Sequence, residues 1–458
     1  MTLETEPDPS VFSQIDFTNG AVAAVSGGSD STALLLLLKD HLDRTAPATK
    51  LLAVTIDHGL RPGSAAEAQA VARLCAARGI AHRILVWSGR KPSTGLPAAA
   101  REARYRLLAE AAQTEGIGLI LTGHTADDQA ETVLMRQARQ EGPREAGRGL
   151  AGMAPATLYD WRIWIVRPLL GTRRVALREV LRRANVGWAE DPTNEDEVFE
   201  RPRIRAALAD GNGAQRVEDA IALAARAAVE REQLGHRAAA LTRGFASRPA
   251  AGLIRLDPGF AMAGDEPAAV YALRILLATV GGVAFLPDQA RSEALLNRLS
   301  SPPFCATLSR TVVDARRAGI FLRRETRNLP PAAPAVDDTL WDGRRRITLG
   351  DEPGAFLIAP LGAARAAKQA IAEDDTPPSL VRAALAAEPV LWRASELLGE
   401  CLGSAQDSPV LPGIAVCPVV APFARFLPSF DLAPAGTVAA LIGAPLLPAT
   451  PFSGHTAG

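Results

Sequence analysis

Val22-Ala23-Ala24-Val25-Ser26-Gly27-Gly28-Ser29-Asp30-Ser31 runs directly into Thr32-Ala33-Leu34 and four further leucines. An apolar run ends in a turn of small residues, and the turn opens into a helical pattern. That order of strand, glycine-rich turn and helix builds an anion site from backbone alone. Gly27 and Gly28 permit positive φ and a close approach of ligand to main chain. The first amides of the helix have no intrahelical acceptor, and their partial positive charge suits a phosphate. Ser26, Ser29 and Ser31 add hydroxyls, and Asp30 is placed either to hold a cation or to order the loop. An ordinary serine-capped turn needs one or two such residues. Six in a row, Ser26 to Ser31, exceed that.

Working outward, Leu51–Ile56 reads as a second buried strand ending at Asp57-His58-Gly59, and Ala81–Val86 as a third. Leu119–Leu121 reads as a fourth, ending at Thr122-Gly123-His124. Helical spacing fills the intervals at Ser64–Arg78, Ala98–Thr114 and Ala126–Arg139. Continuous apolar strands alternating with helices specify an α/β fold, a parallel sheet with helices on both faces. Ligands of such sheets gather beyond the carboxyl ends of the strands. Three of those ends carry polar clusters: Ser26–Ser31, Asp57-His58, and His124 with Asp127 and Asp128.

Further on, Trp161–Val166 is strand-like, Thr172–Ala184 is a basic helix, and Glu141–Gly149 reads as a mobile basic loop. An alanine-rich helix starts near Gly211 and runs past Arg237 as a helical linker. Smaller α+β C-terminal domains follow, with strands at Leu253–Leu256, Ala306–Ala315 and Ile320–Arg323, helices at Ala268–Thr279 and Asp288–Arg298, and a proline-rich linker at 328–334. The expected domains are 1–210, 211–328 and 335–458, the last ending in a polar tail. At 458 residues, two or three domains fit better than one core.

Lysine plus arginine and aspartate plus glutamate each number 50, so net charge alone points neither to nor away from nucleic acid. The four cysteines form no Cys-x-x-Cys, against a disulfide framework or zinc ribbon and in favour of a reducing, cytoplasmic setting. The acidic N-terminus lacks a signal-peptide pattern, and Leu34–Leu38 is too short to span a bilayer.

His124 and Asp128 lie four residues apart, a spacing that can share a helical face and bring an imidazole and a carboxylate to one substrate group. The same residues equally suit an acidic helix-capping cluster with His124 a bystander. Arg101, Arg104 and Arg106 open a charged helix, either a solvated face or guanidiniums aimed at planar anions.

Ser-Gly-Gly-x-Asp-Ser after a strand resembles the pyrophosphate loop (PP-loop) of the N-type ATP pyrophosphatases, whose fold is adenine nucleotide α-hydrolase-like. Further blocks resemble the tRNA(Ile)-lysidine synthetases: Leu60-Arg61-Pro62, Ala100-Arg101 with Arg104-Tyr105, and His124 with Asp127 through Thr132. So do Leu150–Met153, Arg167–Leu170, Trp188–Asn194, and Phe199 with Arg201, Arg203, Ile204 and Arg205. The resemblance implies ATP binding by Ser26, Gly27, Gly28, Ser29, Asp30, Ser31, Asp57 and His58, with Mg²⁺ at Asp30. It implies Asp128, His124, Arg104 and Arg205 as catalytic residues, Asp128 and Arg104 also meeting free L-lysine.

The implied reaction adenylates the C2 oxygen of the wobble cytidine of a CAU-anticodon tRNA(Ile), after which the lysine ε-amine displaces AMP. The lysidine so made changes codon specificity from AUG to AUA. No membrane association is implied, and the assembly is a monomer or homodimer. Pro97 and the length of Glu141–Gly149 depart from the family pattern. Residues beyond 210 are assigned to tRNA by family analogy, with Arg316-Arg317, Arg323-Arg324 and Arg344–Arg346 either contacting phosphates or forming a solvated basic surface. The alternatives are a PP-loop tRNA thiolase and a non-catalytic tRNA-binding protein.

Overall fold

The computed structural model describes residues 9–61, 63–139, 146–190, 200–208, 212–350, 355–370, 376–393, 396–400 and 413–452. The chain divides into two compact units, one formed by Met1–Arg231 with Pro448–Gly458 and the other by Glu232–Leu447.

In the first unit β1 (Ala21–Ala24) leads through α1 (Ser29–Thr45) to β2 (Leu51–Asp57), then α2 (Ser64–Ala76) and β3 (Ala81–Val86). Next come α3 (Leu96–Thr114), β4 (Leu119–Thr122), α4 (Ala126–Ala138) and the short α5 (Ala146–Leu150). The unit continues with β5 (Ala156–Tyr159), β6 (Ile163–Val166), α6 (Arg174–Arg183) and α7 (Glu200–Ala207). Its strands run in the order β5-β6-β4-β1-β2-β3. β6, β4, β1, β2 and β3 are parallel, and β5 is antiparallel to β6. All four β1 residues are buried, as a strand covered on both faces requires. Because the chain steps from β1 to β2 on one side and returns through β4 on the other, a crevice opens at the carboxyl ends of β1 and β4.

Two local expectations change. The Trp161–Val166 strand is the second arm of a hairpin, with Asp160 and Trp161 at φ 48° and 61° in its turn. The end of the expected mobile loop, Ala146–Gly149, belongs to a short helix that runs to Leu150, and residues 140–145 lie outside the described residues. Pro97 stands in the first turn of α3, where its missing N–H leaves no intrahelical bond unmade. The segment after Leu447 returns to the first unit's surface: Asp16 N–H donates to Pro451 O at 2.9 Å, and Trp164 Nε1 to Ala449 O at 2.8 Å.

The helix α8 (Gly213–Phe245) carries the chain from the first unit into the second. There β7 (Ala246–Ala250), β8 (Leu253–Leu256), β9 (Phe304–Leu308), β10 (Thr311–Arg316) and β11 (Gly319–Arg324) form a sheet ordered β7-β8-β11-β10-β9. The single strand expected over Ala306–Ala315 is thus two, paired Thr311 to Leu308 across a turn with Ser309 and Arg310 at φ 50° and 61°.

The arginine clusters of this unit are mostly engaged internally, contrary to both of their readings, phosphate contacts and a solvated basic surface. Arg324 and Arg344 are buried on Asp342, Arg344 and Arg345 hold Glu388, Arg316 pairs with Asp314, and Arg346 pairs with Asp338. The buried carboxylates of Asp342 and Glu388 gather Arg324, Arg344 and Arg345 because a buried charge is tolerated only when paired and hydrogen-bonded.

Candidate active site

The loop after β1 takes the shape its sequence demands. Gly27 has φ 88°, a conformation L side chains rarely adopt, and Gly28 caps α1 with φ −72°. No side chain caps α1, so its first amides are left to water or an anion. The serines first serve the loop itself. Ser31 Oγ accepts from Ser26 N–H at 3.1 Å and donates to Gly28 O at 3.2 Å, and Ser29 Oγ donates to Asp30 Oδ1 at 2.9 Å.

Gly123, at the end of β4, lies against the start of α1. A Cβ there would come within 2.8 Å of Asp30 O and 2.9 Å of Ser31 Cα, both backbone atoms. Gly123→Ala is therefore expected to push the loop off its position at a cost of about 1–3 kcal/mol. A fluorescent ATP analogue should bind roughly tenfold to a hundredfold more weakly, with the far-UV circular dichroism unchanged.

The expected sharing of one helical face by His124 and Asp128 is not what joins them, because Thr125 is the N-cap and α4 begins after it. Asp128 has two duties. Its Oδ2 accepts from Thr125 N–H and Oγ1–H, both at 2.9 Å, completing a capping box. Its Oδ1 accepts from Arg174 Nη2 at 3.2 Å. The capping role is thus present, and it fixes the rotamer that turns Oδ1 toward the crevice.

His124 Nδ1 shares a 2.9 Å hydrogen bond with Thr122 Oγ1. Burial, then the guanidiniums of Arg167, Arg104, Arg101 and Arg201, hold its imidazole well below the usual range. At neutral pH it is uncharged.

A cavity of about 370 Å³ joins these parts. Ser26, Gly28, Ser29, Asp30, Ser31, Arg104, Gly123, His124, Asp128 and Arg205 line it. So do Arg174, Arg178, Trp188, Ala189, Glu190 and Arg201. Gly27 supports the wall from behind, its carbonyl accepting from Ala189 N–H at 2.9 Å. Asp57 and His58 are not among the lining residues. Asp57 Oδ1 accepts from Gly59 N–H at 2.9 Å, and His58 packs edge-on to Trp87 at 5.9 Å.

Glu131 and Arg174 were not singled out by the sequence. Glu131, almost wholly buried, accepts from Arg205 Nε at 2.6 Å. Its place one turn beyond Asp128 was a usable signal. Arg174 donates through Nε to Asp30 at 2.8 Å and lies 3.7 Å from Glu131. Nothing distinguished it within a basic helix.

A family model described as a PP-loop domain matches residues 10–211. A tRNA(Ile)-lysidine synthase of Mesorhizobium japonicum is 71% identical over 458 residues, covering 99% of this chain and 100% of its own. The chain belongs to the tRNA(Ile)-lysidine synthase family. A second member, from Rhizobium meliloti, is 37% identical over 449 residues, covering 94% of this chain and 93% of its own. Both matches run through the C-terminal third, where the sequence offered no family motif. Among solved structures, a U34-tRNA thiolase from Methanococcus maripaludis with its [4Fe-4S] cluster superposes with a TM-score of 0.39 at 16% identity. That likeness covers 47% of this chain and 76% of the thiolase.

Proposed function

We propose that this cavity ligates lysine to C2 of the wobble cytidine of a CAU-anticodon tRNA(Ile), converting ATP to AMP and pyrophosphate. The observation that carries the reading is the convergence of the uncapped loop of α1 and the carboxylate of Asp128 on one cavity. One ligand is a polyanion and the other an ammonium, and the site offers each a matching wall.

In the first step the C2 oxygen attacks the α-phosphorus of ATP and pyrophosphate leaves. The amides at the start of α1 and the Ser26–Ser31 hydroxyls receive the charge that develops on the leaving group. Neutral His124 takes part as a hydrogen-bonding group, while Arg104 and Arg205 supply fixed charge at phosphates. In the second step the ε-amine attacks C2, and AMP departs with the former C2 oxygen. Asp128 binds and orients the ammonium and, as the C–N bond forms, accepts its proton. Arg104 orients the lysine carboxylate.

Among the described residues no group of three or more His, Cys, Asp or Glu side chains is arranged to hold a metal ion. A phosphate-bound Mg²⁺ needs only one or two carboxylates. Asp30 fits that need and would hold it, where the ion would neutralise phosphate charge. Asp57 and His58 end the neighbouring strand, outside the residues that line the cavity. The second unit and the residues beyond 210 bind the tRNA.

The thiolase alternative lacks a thiol at the cavity among the described residues. Cys75 is buried in α2, and burial pushes its thiol up to about 11. Cys305 and Cys417 belong to the second unit. No described helix is long and apolar enough to cross a membrane.

Incubation of tRNA(Ile) transcript with ATP, Mg²⁺ and isotopically labelled lysine tests the reading. A nucleoside whose mass carries the lysine label is expected on digestion. Release of AMP with no lysine in the tRNA would reject it.

A further inference from the structure

In the free protein the two carboxylates read above as partners of cationic ligands, Asp30 and Asp128, already hold a cation. Asp30 comes from the phosphate loop, Asp128 from the first turn of α4, and Glu131 from its second turn. All three converge on the Arg174 guanidinium, at 2.8, 3.2 and 3.7 Å. Each contact uses a different nitrogen, Nε, Nη2 and Nη1, so the whole fork is committed. The backbone holds it there: Arg174 N–H, at the start of α6, donates to Asp127 Oδ2 at 2.7 Å, and Arg173 clasps the same carboxylate.

Two consequences follow from charge. A guanidinium seated on Asp128 repels and physically excludes an ammonium seeking the same oxygen. The same guanidinium lines the cavity beside Ser26, Ser29 and Ser31, so a triphosphate lying there competes with the three carboxylates for its fork. Arg205, 3.8 Å from the same Asp128 oxygen, stays on Glu131 through two hydrogen bonds at 2.6 and 3.1 Å, so Glu131 keeps a partner when Arg174 moves and only the nearer guanidinium leaves Asp128.

We propose that Arg174 is a positioning residue that stands in for the cationic substrate in the free enzyme and is drawn off by the phosphates of ATP, opening Asp128 to the lysine ammonium. The consequence is ordered admission: nucleotide first, amine second. This rests on the reading above that ATP phosphates lie at Ser26–Ser31 and lysine at Asp128.

The test is equilibrium dialysis of radiolabelled lysine against the full-length protein, with and without saturating α,β-methylene ATP. In the parent protein the analogue is expected to tighten lysine binding at least tenfold. Because coupling is reciprocal, lysine should tighten analogue binding by the same factor. In Arg174→Ala and in Arg174→Gln the dependence should fall below twofold, with lysine binding without nucleotide as the parent binds it with nucleotide. Millimolar guanidinium should restore the dependence in Arg174→Ala, which a merely misfolded site would not show.

Equal lysine affinity with and without the analogue in the parent overturns the proposal, whether or not the variants fold. So does a variant that keeps the tenfold dependence. Lysine that binds no form of the protein, with or without the analogue, would overturn the lysine reading itself and the proposal with it.

Discussion

An Asp128→Asn protein is expected to accumulate adenylated tRNA and to convert it to lysidine about a thousandfold more slowly than the parent, a barrier increase of about 4 kcal/mol. Free lysine carries an ammonium with a reference pKa of about 10.4, so it reaches the site protonated. A carboxylate binds that ion, yet its attraction also raises the ammonium pKa and delays proton loss. Asp128 therefore acts by holding and orienting the ammonium and by taking its proton only as the C–N bond forms. Asparagine keeps the shape and one acceptor for the Thr125 amide, so the capping box is weakened rather than lost. It removes the charge that faces Arg174 at 3.2 Å and Arg205 at 3.8 Å. Acid-gel resolution of AMP-linked tRNA, with lysine varied to high concentration, separates the steps. Failure to form AMP-linked tRNA, with lysine binding intact, would move Asp128 to the nucleotide site.

The second large effect belongs to stability. Glu388→Gln is expected to destabilise the second unit by about 3–5 kcal/mol, the usual cost of removing one partner from a buried ion pair. Glu388 is fully buried, and Arg344 and Arg345 both donate to it. The neighbouring Asp342 receives Arg324 at 3.0 Å and Arg344 at 2.8 Å, and Arg310 as well. Burial alone would raise both carboxyls, but these guanidiniums outweigh it and hold both below the usual range. A depressed folded-state value contributes stability above the unfolded-state pKa, about 4, and that contribution is lost as pH falls through the folded value. The parent should accordingly lose its second-unit unfolding transition in acid more steeply than Glu388→Gln. Scanning calorimetry at neutral and acidic pH checks both statements. A variant as stable as the parent at pH 7 would show the network to be replaceable.

The parallel sheet was legible because β1, β2 and β4 are largely apolar runs that each end in a polar cluster, so one pattern pointed to both fold and crevice. What escaped were two hairpins. Tyr159–Ile163 and Leu308–Thr311 turn through Asp160-Trp161 and Ser309-Arg310 with positive φ but no glycine, so the usual punctuation is missing. In the site, the loop serines, His124, Asp128, Arg104 and Arg205 could be read because they sit at strand ends or in distinctive blocks. Arg174 could not, since its partners Asp30 and Asp128 are 144 and 46 residues distant in sequence. The second unit's arginines misled for the same reason. A run of basic residues looks the same whether water or a buried carboxylate such as Glu388 faces it.

The most direct test follows the oxygen that the two-step reaction must move. tRNA(Ile) carrying ¹⁸O at the C2 position of its wobble cytidine, given ATP and lysine, should yield AMP bearing one ¹⁸O for each lysidine formed. Lysidine formation with unlabelled AMP would contradict activation of the base in this cavity.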